Sequence, residues 1–143
     1  MLFALLAGGG ASLFNIAVHA FATVAMVRAV RGRLSIDVSH HRMMGLVMIM
    51  VTAVSVLMVA HTIEVGVWSI LYAVLGVTPP GGNDFTFAFV NYTTLGYGDV
   101  VPVSRWKVLG PMTAMNGVLL FGWSTAVLFQ ILSATTQRLD IKY

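Results

Sequence analysis

Charged residues interrupt this chain so rarely that uncharged runs extend over 1–27, 43–63, 65–83, 85–98 and 108–137. The runs 1–27, 43–63 and 108–137 are each long enough to cross a hydrocarbon core, which takes about 20 helical residues. The pattern predicts three membrane-spanning helices, in segments 1–30, 43–78 and 107–136. The first should be helical only over about 11–28, because Gly8-Gly9-Gly10 makes a poor helix interior. The second stays apolar from Met43 to Val77, which is roughly 50 Å of helix against a core of about 30 Å. It must tilt, kink or finish in the outer interface, where Trp68 and Tyr72 would anchor it as an aromatic belt. Thr78-Pro79-Pro80-Gly81-Gly82 then stops any helix. Within segment 79–106, Asn83 or Asp84 can cap a short helix over 85–94, whose residues would reach roughly 15 Å, half the membrane. Such a helix enters and returns on one side. The third span carries Pro111 in its first turn or at a kink.

Composition excludes a soluble monomer: 58% of residues are hydrophobic and 9% charged, where a soluble domain carries roughly a quarter charged. The formal net charge of +3 is a topology signal. Arg28, Arg31, Arg33 and Arg42 lie between the first two runs and Arg138 and Lys142 follow the last, against Arg105 and Lys107 elsewhere. The positive-inside rule makes 31–42 a cytoplasmic loop and 137–143 a cytoplasmic tail, with the N-terminus outside and the cell membrane as location. The expected surroundings are the lipid bilayer, with no nucleic acid as partner. The basic cluster follows the first apolar stretch instead of preceding it, so that stretch reads as a retained span and not a signal peptide. With no cysteine there is neither a disulfide framework nor a thiolate nucleophile.

The candidate chemistry lies in Thr93-Thr94-Leu95-Gly96-Tyr97-Gly98-Asp99, directly after the half-membrane helix. Non-helical backbone at membrane depth survives only where protein buries it or it lines a watery path. Glycine at alternate positions 96 and 98 permits backbone conformations that turn successive carbonyls to one side. A row of such carbonyls can replace the hydration shell of a bare cation.

This stretch resembles the selectivity filter of potassium channels, in which Thr-Val-Gly-Tyr-Gly is usual, with Leu95 in place of valine. The resemblance runs from about Phe85 through Val127 and takes in Pro102, Trp106 and a glycine-containing third span. It implies an all-α pore in which 43–78 is the outer helix, 79–106 the turret, pore helix and filter, 107–136 the inner helix, and 1–30 an extra span. It also implies ion binding at Thr94, Leu95, Gly96, Tyr97 and Gly98, with potassium held at the carbonyls of the first four and at the Thr94 hydroxyl. Support would come from Thr93, Asp99, Phe89 and Tyr92. One copy of the loop means that four chains must meet as a homotetramer. Potassium is then the permeant ion, with no cofactor and no enzymatic step. The rival readings are a weakly selective cation channel, a non-conducting structural or regulatory subunit, and a potassium transporter.

Around the filter, Phe87, Phe89, Tyr92 and Tyr97 form either an aromatic cuff or plain packing, and on both readings they are buried. Val90 stands where some channels pair a glutamate with the filter aspartate, and Phe87 where many carry a tryptophan. His61 and Glu64 share one helical face near the outer boundary of the core. They form either an extracellular proton sensor or a hydrogen-bonded pair fixing the span. His19 is a polar interhelical contact and His40-His41 a solvated cytoplasmic pair, three sites at different depths. No metal-enzyme spacing is present. Gly117 and Gly122 are hinges or close-packing positions. Resemblance puts Leu119, Gly122, Ala126 and Gln130 on the pore side, whereas polarity selects Asn116, Leu120 and Ser124.

Overall fold

The computed structural model describes residues 1–34, 42–98 and 100–138. Four α-helices and one 3-10 turn follow in the order α1 (Leu2–Leu34), α2 (Arg42–Leu75), α3 (Asp84–Tyr92), the turn Ser104–Trp106, and α4 (Leu109–Arg138). No strand occurs among the described residues. Three segments are long and apolar enough to cross a membrane, Leu2–Val30, Met43–Leu75 and Ser104–Arg138, so the chain is a multi-pass, all-helical membrane protein. The short α3 lies against α2 and α4, and α1 also packs on α2 and α4. His40 and His41, like Asp99 and Lys142, lie outside the described residues.

Two expectations about the helices are corrected. Helix α1 does not wait for Ala11 but runs unbroken from Leu2 through the glycine triplet. In an apolar medium no water competes for the backbone, so a helix tolerates glycines that would weaken it in solution. Gly8 also serves the packing, since a Cβ there would come within 2.8 Å of the Met112 side chain on α4. Helix α2 ends at Leu75, before the proline pair. Gly76, at φ +61°, lets the Val77 N–H reach the Tyr72 carbonyl at 3.0 Å and its own N–H reach that of Ala73 at 3.4 Å. This is a Schellman cap, whose left-handed position favours glycine, and Val77 is buried beside it.

Trp68 and Tyr72 form no interfacial belt. Both are fully buried, and their polar ends bind inside the subunit. Trp68 Nε1–H donates to Asn116 Oδ1 at 3.0 Å, and the Tyr72 hydroxyl meets Thr113 Oγ1 at 2.7 Å. The Asn91 amide of α3 donates to that same Tyr72 hydroxyl at 3.2 Å. A buried indole or phenol needs such a partner, and here the partners staple α2 to α4 and α3.

The interior is layered along the helices. One apolar cluster gathers Trp68, Tyr72, Phe87, Tyr92 and Leu109, and another gathers Met26, Ile49, Leu57, Val127 and Ile131. Between them, at intermediate positions on α1, α2 and α4, lie the buried polar side chains Asn15, His19, Glu64, Asn116 and Ser124. Gly117 belongs to the close contact of α4 with α3, where a Cβ would overlap the backbone carbonyl of Tyr92, whereas Gly122 has nothing within 4 Å.

Backbone cannot yield as a side chain end does, so Gly117→Ala should cost about 1–3 kcal/mol. It is expected to lower the thermal unfolding midpoint in detergent clearly, while Gly122→Ala stays close to the parent. Equal midpoints for the two variants would contradict the packing role of Gly117.

Candidate functional site

The site is built on α3 and the loop that leaves it. Asn83, not Asp84, is the N-cap, with its Oδ1 accepting the Thr86 N–H at 2.9 Å. Asp84 occupies the first turn, where a negative charge complements the helix dipole. The helix covers nine residues, about 14 Å at the α-helical rise, and ends at Tyr92, two residues short of the expected Thr94. The Thr94 N–H bonds to the Asn91 carbonyl at 3.1 Å and the Leu95 N–H to that of Val90 at 3.0 Å. These are the two bonds of a Schellman motif, which puts Thr94 in the left-handed position. Its φ is +58°. For a β-branched residue this conformation costs roughly 1–2 kcal/mol, and glycine would occupy it freely, as Gly76 does at the end of α2. The first residue of the loop is therefore held strained by the helix end behind it.

Beyond Thr94 the same handedness recurs at every second residue. Gly96 has φ +55° and Gly98 +87°, while Leu95 and Tyr97 between them do not have positive φ. Backbone of alternating hand gathers its N–H groups on one side and so leaves its carbonyls aligned on the other. Within the chain this loop is uncovered, with Leu95 and Tyr97 56% and 72% exposed. Of the four aromatic residues expected to be buried, the single chain encloses two. Phe87 and Tyr92 pack inside the subunit, whereas Phe89 is 50% exposed and stacks on Phe85. Phe89 and Tyr97 are apolar surface that one chain cannot cover. Thr93 is tied back to the helix, its hydroxyl donating to the Phe89 carbonyl at 2.8 Å. Asp99 lies outside the described residues. Behind the loop, a cavity of about 170 Å³ is lined by Phe87, Val90, Asn91 and Tyr97 among others, with no carboxylate among the described residues.

Beneath the C-terminal end of α3 the polar layer closes into a network. The Glu64 carboxylate meets His19 Nδ1 at 2.8 Å through Oε1 and His61 Nδ1 at 2.9 Å through Oε2. The Tyr92 hydroxyl donates to Oε2 as well and lies 2.9 Å from His61 Nδ1. Both imidazoles turn their Nε2 atoms to the Ser124 hydroxyl, at 2.9 Å for His61 and 3.2 Å for His19. Asn15 Nδ2 donates to the Glu64 backbone carbonyl at 3.1 Å and to Asn116 Oδ1 at 3.0 Å. All four helices contribute. His19, His61 and Glu64 offer donor atoms within 4.8 Å of one another, but each of those atoms is already engaged in these hydrogen bonds.

This overturns the expected separation in depth. His61 does not stand near an outer boundary apart from His19. It faces His19 at 5.2 Å between ring centroids, and His19 and Ser124 lie halfway along α1 and α4. Counting along α2 alone could not show which residues of other helices stand opposite. The signal that was available is the pairing of polar residues one turn apart in apolar spans, Asn15 with His19 and His61 with Glu64, because such groups seek one another in a membrane protein.

The two candidate faces of α4 also separate. Asn116, Leu120 and Ser124 are buried within the subunit, so the face chosen by polarity is spent on internal contacts. Leu119, Gly122, Ala126 and Gln130 lie on the face that the chain leaves exposed.

A family model described as ion channel matches residues 44–134, from α2 through the loop to the last turn of α4, leaving α1 outside the match. No curated protein and no solved structure matches the chain. The geometry around Glu64 makes a specific demand on Tyr92. Removing its hydroxyl in Tyr92→Phe takes one donor from a buried carboxylate, which costs about 1–3 kcal/mol. The variant should unfold at lower temperature in detergent, and an unchanged midpoint would show that the contact carries no stability.

Proposed function

Because the chain belongs to the ion channel family, we propose that it forms a potassium-selective channel of four identical subunits around the 94–98 loops. The observation that carries this reading is the alternating hand of Thr94, Gly96 and Gly98. In a Thr-Leu-Gly-Tyr-Gly sequence it supplies a row of carbonyls on one side of the backbone. The carbonyls of Thr94, Leu95, Gly96 and Tyr97, together with the Thr94 hydroxyl, replace the hydration shell of potassium when four copies face one axis. The hydroxyl explains why a strained threonine stands at a cap position that glycine would fill more cheaply.

The C-terminal end of α3 carries partial negative charge and favours a cation on the inner side of the filter. Conduction needs no chemical step and no cofactor: ions enter, repel one another between adjacent sites and move down their gradient. Neighbouring subunits would cover Phe89 and Tyr97, which a single chain leaves bare. The inner cavity would be lined by Leu119, Ala126 and Gln130, with Gly122 as the hinge, since Gly117 is accounted for by its contact with Tyr92. In the bilayer the N-terminus lies outside and the C-terminus in the cytoplasm, on the strength of the basic residues flanking the spans.

Purified protein in liposomes tests this. Potassium flux blocked by barium, with little sodium flux, is expected. Equal sodium flux would point to a weakly selective cation channel, and absence of flux to a non-conducting subunit. Gly96→Ala places a Cβ at φ +55°, at a cost of roughly 1–2 kcal/mol in each of four subunits. It should reduce potassium flux at least about tenfold, a barrier change of only ~1.4 kcal/mol. A variant conducting as well as the parent would sink the carbonyl mechanism.

A further inference from the structure

The contacts Glu64–His19, His19–Ser124, Ser124–His61 and His61–Glu64 close into a ring. Each link needs one hydrogen. An ionised carboxylate brings none, a neutral imidazole brings one, and a hydroxyl brings one. Glu64 ionised, two neutral histidines and Ser124 therefore fall one hydrogen short of the four links. In that state one of the four links lacks its hydrogen, whichever nitrogen of each imidazole carries the proton. One added proton completes the ring and also cancels the carboxylate charge. The Tyr92 hydroxyl does not remove the shortfall, because its hydrogen is already given to Glu64.

We propose that the ring of Glu64, His19, Ser124 and His61 is a binding site for one proton, and that its occupancy controls the filter through Tyr92. Glu64 and the His19 side chain are fully buried, whereas the His61 side chain is 16% exposed. The titratable groups facing the ring are His19 from α1, His61 and Glu64 from α2, and Tyr92 from α3. Helix α4 presents Ser124 together with the rings of Phe121 and Trp123, which do not titrate.

The link to the pore is short. Tyr92 is the last residue of α3, its hydroxyl sits on Glu64, and its carbonyl lies against Gly117. Two residues later comes Thr94 in its strained conformation. Loss of the proton leaves a buried carboxylate uncompensated and one link of the ring unmade, which loosens the support on which Tyr92 and the start of the filter rest. The expected direction is conduction with the proton bound, declining as pH rises. The same arrangement gives α1, which lies outside the matched channel region, a function of its own: its His19 completes the ring.

Glu64→Gln tests the proposal because a carboxamide can donate as well as accept. The ring then closes without an added proton. In liposomes, parent potassium flux should fall as pH is raised, as a single-proton titration spanning roughly two pH units, while Glu64→Gln conducts with a flat profile. A second measurement needs no variant of the ring. With 15N-labelled histidine in a His40→Asn, His41→Asn background, nitrogen resonances of the two remaining imidazoles in the bilayer-reconstituted parent should change over the pH range in which flux falls, as one hydrogen leaves the ring. In Glu64→Gln the same resonances should stay constant across that range. Parent imidazole resonances that do not change over that range, or identical pH profiles of flux in the two proteins, would overturn the proposal. The flux measurement rests on the potassium reading and the resonance measurement does not, so failure of either reading is told apart from failure of the other.

Discussion

A carboxylate buried in a helical membrane protein must be surrounded by donors, because the surrounding medium offers none. Glu64 meets this requirement by drawing a side chain from each packed element: His19 from α1, His61 from its own helix and Tyr92 from α3. Ser124 of α4 closes the set through both imidazoles. The rest of the arrangement follows from that demand. The helices must cross at a common level, and the end of the short α3 must be held at a defined place between α2 and α4.

Fixing the end of α3 also fixes what comes after it. The Schellman bonds from Thr94 and Leu95 back to Asn91 and Val90 turn the chain out of the helix in the left-handed conformation with which the loop begins. A threonine is costly there, and it holds because the helix end is over-determined. The Tyr92 hydroxyl binds Glu64, its carbonyl fits against Gly117, and Asn91 binds Tyr72. Strain in the loop and satisfaction beneath it are two sides of one construction, in which a rigid polar layer supports a backbone that would not adopt this conformation alone.

The outer surface has a different logic. Large apolar side chains such as Phe14, Phe21, Met58 and Phe129 are exposed along the long helices, as suits contact with lipid or with further copies of the chain. Asn15, His19, Glu64, Asn116 and Ser124 turn inward instead, to the layer between the two apolar clusters. This inversion explains why polarity is a poor guide to the lining face of α4. In a water-filled pathway polar residues are welcome, but here Asn116 and Ser124 are needed first by Trp68, Asn15 and the two histidines.

Much of the architecture was legible in the order of residues. Three long uncharged runs, a proline and glycine break after Val77, an asparagine cap at Asn83 and a Thr-Leu-Gly-Tyr-Gly loop are local features, and each dictates its element through helix length, capping or glycine freedom. Where the structure departs from the local pattern, the reasons are equally physical. Gly8-Gly9-Gly10 looked like a helix boundary because glycine propensity is measured in water. Trp68 and Tyr72 looked like interfacial anchors because their partners, Asn116 and Thr113, are more than 40 residues away. The sequence alone determined that the chain carries three membrane-length helices and a short helix followed by a glycine-rich loop, because those properties depend on neighbours along the chain. Only the tertiary structure decided that His19, His61, Glu64, Tyr92 and Ser124 form one site, because hydrogen bonds between helices depend on which turns come level, and no spacing within a single helix records that.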